Sequence, residues 1–248
     1  MIKDKRPDLF ITEAVEKTMA VLGKVYSQEQ ILSASLYGSA AKGNFVSGLS
    51  DINMFVVIRD ESADRLLEAA RTFGTILEDY RVKLFLMTSL ELQESADMFP
   101  LEYLEMRETQ KLLSGEDVLS DLTIDRSHYR YQCEQRLRGS ITTLRQLILT
   151  SGSRKKMMLE QYLIWCGKQD TLFRALIRLK DENLLKEAGN EAGPRVAITT
   201  AGLFDVDPDV LTAVYGGRDE PKKADVTRES LAKMLVAYEK MAHAVNEL

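Results

Sequence analysis

Along the first third of the chain, the apolar residues change period several times. From Asp8 to about Tyr26, Phe10, Val15, Met19 and Leu22 recur at helical spacing. Ile31 to Tyr37 (ILSASLY) alternates larger and smaller residues and stops at a glycine, as a strand would. Asp51 to Ile58 (DINMFVVI) is apolar and β-branched behind its polar first residues, which predicts a buried strand that opens on a polar end. Ser62 to Tyr80 reads as one helix, with Leu66, Leu67, Ala70, Phe73, Ile76 and Leu77 on a shared face. Arg81 to Thr88 (RVKLFLMT) predicts a further strand. Strand, turn, strand, helix and strand within about sixty residues indicate an α/β domain with a small mixed sheet.

Past Thr88 the β signals stop. Leu90 to Ala96 and Leu101 to Leu113 read as helices separated by Phe99-Pro100, and Ser114 to Asp117 (SGED) supplies a polar break with a glycine stop. Arg126 to Thr150 carries a stripe of Cys133, Leu137, Ile141, Leu144 and Ile148. Arg154 to Lys180 reads as one long helix, its stripe including Leu159, Leu163, Cys166, Phe173, Leu176 and Ile177, with Tyr162 and Trp165 expected in the core. Shorter helical pieces follow at Pro194 to Leu203 and Pro208 to Tyr215, then a last helix from Arg228 to Asn246. The expectation is an α/β domain over residues 1–118 and an all-α helical domain over 119–248, with the boundary near Ser114 to Ser120.

Composition is that of a globular protein, 45% hydrophobic and 29% charged. A net charge of −5 argues against broad nucleic-acid binding, which wants a basic surface. Cys133 and Cys166 are far apart with no metal-ligand spacing, and free buried thiols in a reducing compartment are expected. The first residues, MIKDKRP, lack the apolar core of a signal peptide, and no apolar run approaches membrane-spanning length. A cytoplasmic protein without a membrane partner is the expectation.

The chemistry concentrates in Ser35 to Val57, SLYGSAAKGNFVSGLSDINMFVV. Gly38-Ser39 ends a strand where helix-like sequence begins, a place where exposed amides and a close backbone approach favour phosphate. Gly43 and Gly48 let the loop turn back toward the strand that carries Asp51. Asp51 and Asn53, two apart on a strand, share a face.

The run LYGSAAKGNFVSGLSDIN resembles the signature of the nucleotidyltransferase superfamily related to DNA polymerase β: Gly-Ser, a short helix to another glycine, a loop, then Asp-x-Asp, with a third carboxylate on a later strand. Length and layout are most similar to the streptomycin/spectinomycin adenylyltransferases, in which a nucleotidyltransferase domain is joined to a helical one; beyond about Gly115 the likeness is one of architecture alone. The resemblance implies ATP or another nucleoside triphosphate with magnesium, and transfer of a nucleotide to a small-molecule or protein acceptor. It implies that Gly38 and Ser39 hold the triphosphate, that Lys42, Gly43 and Ser50 complete the nucleotide-binding set, and that Asp51 ligates metal.

This chain departs from the pattern at two of the three acids. Asn53 occupies the second carboxylate position. The third falls at Lys83, or at Leu84 with one residue of slip, and no register places an acid there. Asp51, Asn53 and Lys83 together are neutral where three acids would be strongly negative. An ammonium ~4 Å from a divalent ion opposes it by roughly 8 kcal/mol at an effective dielectric of 20. The expectation is therefore nucleotide binding with one magnesium ion or none, and weak or absent transfer, with an active adenylyltransferase and a non-enzymatic interaction module as the alternatives. Glu102, Glu105 and Glu108, near one helix face, are expected as surface charges, with a substitute metal acid as the alternative. Arg130, Arg138 and Arg145 share a helix sector, expected as a solvated face rather than a phosphate site.

Overall fold

The computed structural model describes residues 6–43, 45–46, 50–150, 155–184, 193–219 and 226–248; Gly48 lies outside them. The chain divides into two compact units, Met1–Ile124 and Asp125–Leu248.

The first unit runs α1 (Pro7–Val25), β1 (Ile31–Tyr37), α2 (Ser39–Lys42), β2 (Ile52–Ile58), α3 (Ala63–Phe73), α4 (Ile76–Asp79), β3 (Val82–Thr88), α5 (Ser89–Glu94), α6 (Pro100–Thr109) and β4 (Lys111–Gly115). Its four strands form a mixed sheet in the order β3-β2-β1-β4. β1 is antiparallel to both neighbours, and β2 is parallel to β3. Alternation along the strands splits the core in two. Ala34, Leu36, Ile52, Met54, Val56 and Val82 face α1 and α3, where Phe10, Leu22 and Phe73 cover them. Phe55, Val57 and Met87 face the opposite way, against Leu92, Tyr103 and Met106. Leu119 and Leu122 pack into that second cluster, which ties the stretch after β4 to the sheet. Cover on both faces explains why β2 is apolar almost throughout. Full burial of one such side chain contributes about 1.5–3 kcal/mol.

Three expectations need correction in this unit. β signals do not stop at Thr88: residues 111–115 form β4, paired with β1 from Ser33↔Gly115 to Leu36↔Lys111. Its Lys-Leu-Leu sequence favours a helix, but the open edge of β1 decides the outcome, with a register shift between Ala34 and Ser35 absorbing the misfit. The single helix over 62–80 is two, broken at Gly74, which takes a left-handed φ of 52°. That break sets the phase of α3, so Ala69 and Phe73 are buried while Leu66 and Leu67 are 51% and 54% exposed.

The second unit contains α7 (Arg126–Thr150), α8 (Lys155–Cys166), α9 (Gln169–Lys180), α10 (Gly193–Phe204), α11 (Pro208–Asp219) and α12 (Arg228–Asn246). The long helix expected over 154–180 breaks at Gly167, between α8 and α9. Tyr162, Trp165, Phe173 and Tyr238 are buried together, with Trp165 and Tyr238 ring centroids 5.4 Å apart. The fully buried Tyr238 hydroxyl donates to Gln169 Oε1 at 2.9 Å. The arginines of this α7 sector are paired within the unit: Arg130 and Arg138 share Glu134 at 3.3 and 3.1 Å, and Arg145 pairs with Glu239 at 2.7 Å. Both cysteines are free and buried. Burial pushes the Cys133 thiol up to about 12, so little reactive thiolate exists at neutral pH. Among the described residues no helix is long and apolar enough to cross a membrane.

Candidate functional site

The turn that leaves β1 is shaped by Gly38, whose φ of 71° and ψ of −148° belong to a region that side chains essentially forbid. Its N–H donates to Thr109 Oγ1 at 3.2 Å, and its carbonyl accepts from Ala41 and Lys42 N–H, which winds the single turn of α2. A Cβ on Gly38 would lie 3.0 Å from Asn53 Nδ2, so the turn rests directly against the Asn53 side chain. Ser39 opens α2, Lys42 closes it on the surface, and Gly43 caps it. Ser50 is employed in the returning loop: its hydroxyl accepts the Val46 N–H at 3.0 Å and its own N–H donates to the Val46 carbonyl.

Parallel pairing of β2 and β3 sets Asn53 beside Lys83, on the same strand row as Tyr37↔Asn53 across to β1. Gly38, Asn53 and Lys83 therefore meet at one end of the sheet. Two residues further out, just before the two strands begin, Asp51 Oδ1 accepts from Arg81 Nη2 at 2.9 Å and from Arg81 Nε at 3.0 Å. Sequence reasoning assigned Arg81 no role. Its place follows once the register is known, because Ile52 pairs with Val82 and the preceding residues are then neighbours. The backbone reinforces this: Ile52 N–H donates to the Arg81 carbonyl, and Arg81 takes a left-handed φ of 53°, unusual for a side-chain-bearing residue.

Two further residues complete the corner. Thr109, at the end of α6, holds the Gly38 amide. Burial and the Glu105 carboxylate raise the phenol of half-buried Tyr37 above its ordinary range, which places Glu105 beside β1. Of the three glutamates expected on the surface, Glu102 and Glu105 are half-buried and Glu108 is exposed.

Charge decides what this corner can hold. Arg81 immediately precedes β3 and pairs with Asp51, while Lys83, inside the strand, stands beside the uncharged Asn53. A pair of magnesium ions does not fit these residues. The carboxylate already serves a guanidinium, Asn53 brings no charge, and an ammonium stands at the third position. Among the described residues no three Asp, Glu, His or Cys side chains form a group that could hold a metal ion. Guanidinium and ammonium groups beside a glycine turn do suit phosphate oxygens.

The Asp51–Arg81 pair is not strong enough to close the corner. Its side chains are 34% and 45% exposed, and pairs of that kind contribute about 0–1 kcal/mol. A polyphosphate could take the guanidinium at small cost. No family model matches this chain, and no curated protein matches it.

Proposed function

We propose that this chain is a nucleotidyltransferase-superfamily protein that binds a nucleoside triphosphate in its first unit and transfers the nucleotide weakly or not at all. The Gly38–Ser39 turn and the Arg81 and Lys83 side chains receive the phosphates. The observation that carries this reading is the Asp51–Arg81 pair: the one acid left at the positions of the family's Asp-x-Asp already has a guanidinium as its partner. Arg81 and Lys83 then supply positive charge that metal ions provide in working relatives, which holds phosphate but does not activate an acceptor hydroxyl.

Calorimetry with ATP, with and without magnesium, tests this. Magnesium cancels part of the negative charge of ATP, so binding at Arg81 and Lys83 is expected to be equal or about threefold tighter without it, and no AMP is expected to pass to small-molecule or protein acceptors. Rapid transfer with a second-order dependence on magnesium would restore an ordinary adenylyltransferase. No heat with ATP under either condition would leave the non-enzymatic interaction module.

A further inference from the structure

The sheet of the first unit has two outer strands, and they differ. β4 is protected as native edges commonly are: it is five residues long, meets β1 across a register shift and ends on the left-handed Gly115. β3 is longer and regular. Its seven residues pair with β2 without a shift, contain no glycine or proline, and have Leu-Phe-Leu at the centre. Because the Ile52 N–H donates to the Arg81 carbonyl, the parallel ladder turns the backbone groups of Lys83, Phe85 and Met87 toward β2 and those of Leu84 and Leu86 away from it. No described strand pairs on that outer side.

A groove of about 400 Å³ follows this strand, lined by Phe85, Leu86 and Met87 and, from α5 and the turn after it, by Glu91, Glu94 and Phe99. Its walls combine apolar surface, Phe99 being 43% exposed, with two carboxylates. Glu91 is engaged in capping α5 through Thr88, whereas Glu94 stands exposed at the end of that helix. The groove therefore suits an extended segment that brings an apolar side chain and, two residues away on the same face, a cation. β3 is itself such a segment, with Phe85 and the exposed Lys83 in that relation. Among the described residues neither Lys83 nor Glu94 has an ion-pair partner. The edge is thus complementary to a copy of itself in both shape and charge.

We propose that two copies of this chain associate through β3, antiparallel about a two-fold axis at Phe85, joining their four-stranded sheets into one. In that register Leu84 faces Leu86 of the second copy, and their outward N–H and carbonyl groups bond in both directions. Met87 then faces Lys83 of the second copy at the wall that carries Glu94, and the axis repeats the contact. The experiment is sedimentation equilibrium of the full chain from ~1 to ~100 µM. Lys83 also serves the phosphate reading, so nucleotide is left out and the outcome does not depend on that reading. The weight-average mass is expected to rise from 28.0 kDa toward twice that value. Lys83→Glu or Glu94→Lys alone places two like-charged pairs in the seam and is expected to weaken association by about tenfold or more. Together they exchange the charges, and association is expected to return to within about threefold of the parent. The proposal is overturned if the parent stays at 28.0 kDa throughout, if either single reversal associates as strongly as the parent, or if the combined variant associates no better than the singles.

Discussion

The Asn53→Asp, Lys83→Glu double variant is expected to gain little affinity for manganese, and adding Arg81→Ala is expected to tighten binding by about tenfold or more. From the sequence alone the double change restores three acids and should suffice. Arg81 changes that expectation, because its guanidinium lies 2.9 Å from Asp51 and neither substitution removes that cation. A unit charge ~4 Å from a divalent ion opposes it by roughly 8 kcal/mol at an effective dielectric of 20, and solvent screening at this half-exposed site removes much of that. What survives screening is still enough to separate the two variants. The bound fraction is read from the manganese EPR spectrum. Tight binding by the double variant, or none by the triple, would show that Arg81 does not govern the site.

Gly115→Ala is expected to lower stability by about 3 kcal/mol or more. Gly115 has a φ of 79°, and a Cβ on it would lie 2.1 Å from the Leu32 carbonyl oxygen and 2.8 Å from its carbon. Those are backbone atoms of β1, held in the centre of the sheet, so they cannot step aside as a side-chain tip could. Gly139→Ala is the control: same chemistry, no neighbour to strike, and an expected gain of about 0.5–1 kcal/mol. Urea unfolding of both variants measures the contrast. A Gly115→Ala midpoint equal to that of the parent would mean that β4 is not seated against β1 as described.

How much of this was legible beforehand depends on what each feature needs. β1, α7 and α12 have the bounds that periodicity predicts, because each pattern is long or ends on a strong punctuator. β4 was not legible: five residues, four of them exposed, carry no alternation, and the strand exists because β1 has an edge to fill. In α3 two apolar faces competed, and the leucines lost to Ala69 and Phe73 once Gly74 ended the helix. At the site, Asn53 and Lys83 could be read directly from the sequence. Arg81 could not, since pairing it with Asp51 requires the strand register, and Thr109 reaches Gly38 from 71 residues away.

That distance constrains how the protein is made. On the ribosome, β1 emerges early, yet one of its two flanking strands is not synthesised until Gly115. A nascent chain halted before Lys111 carries a central strand with a bare hydrogen-bonding edge, the kind that recruits other chains. A fragment ending at Gln110 is expected to scatter light on release from denaturant, while one extended to Ile124 stays clear; equal clarity of the two would mean that β1 needs no cover during synthesis.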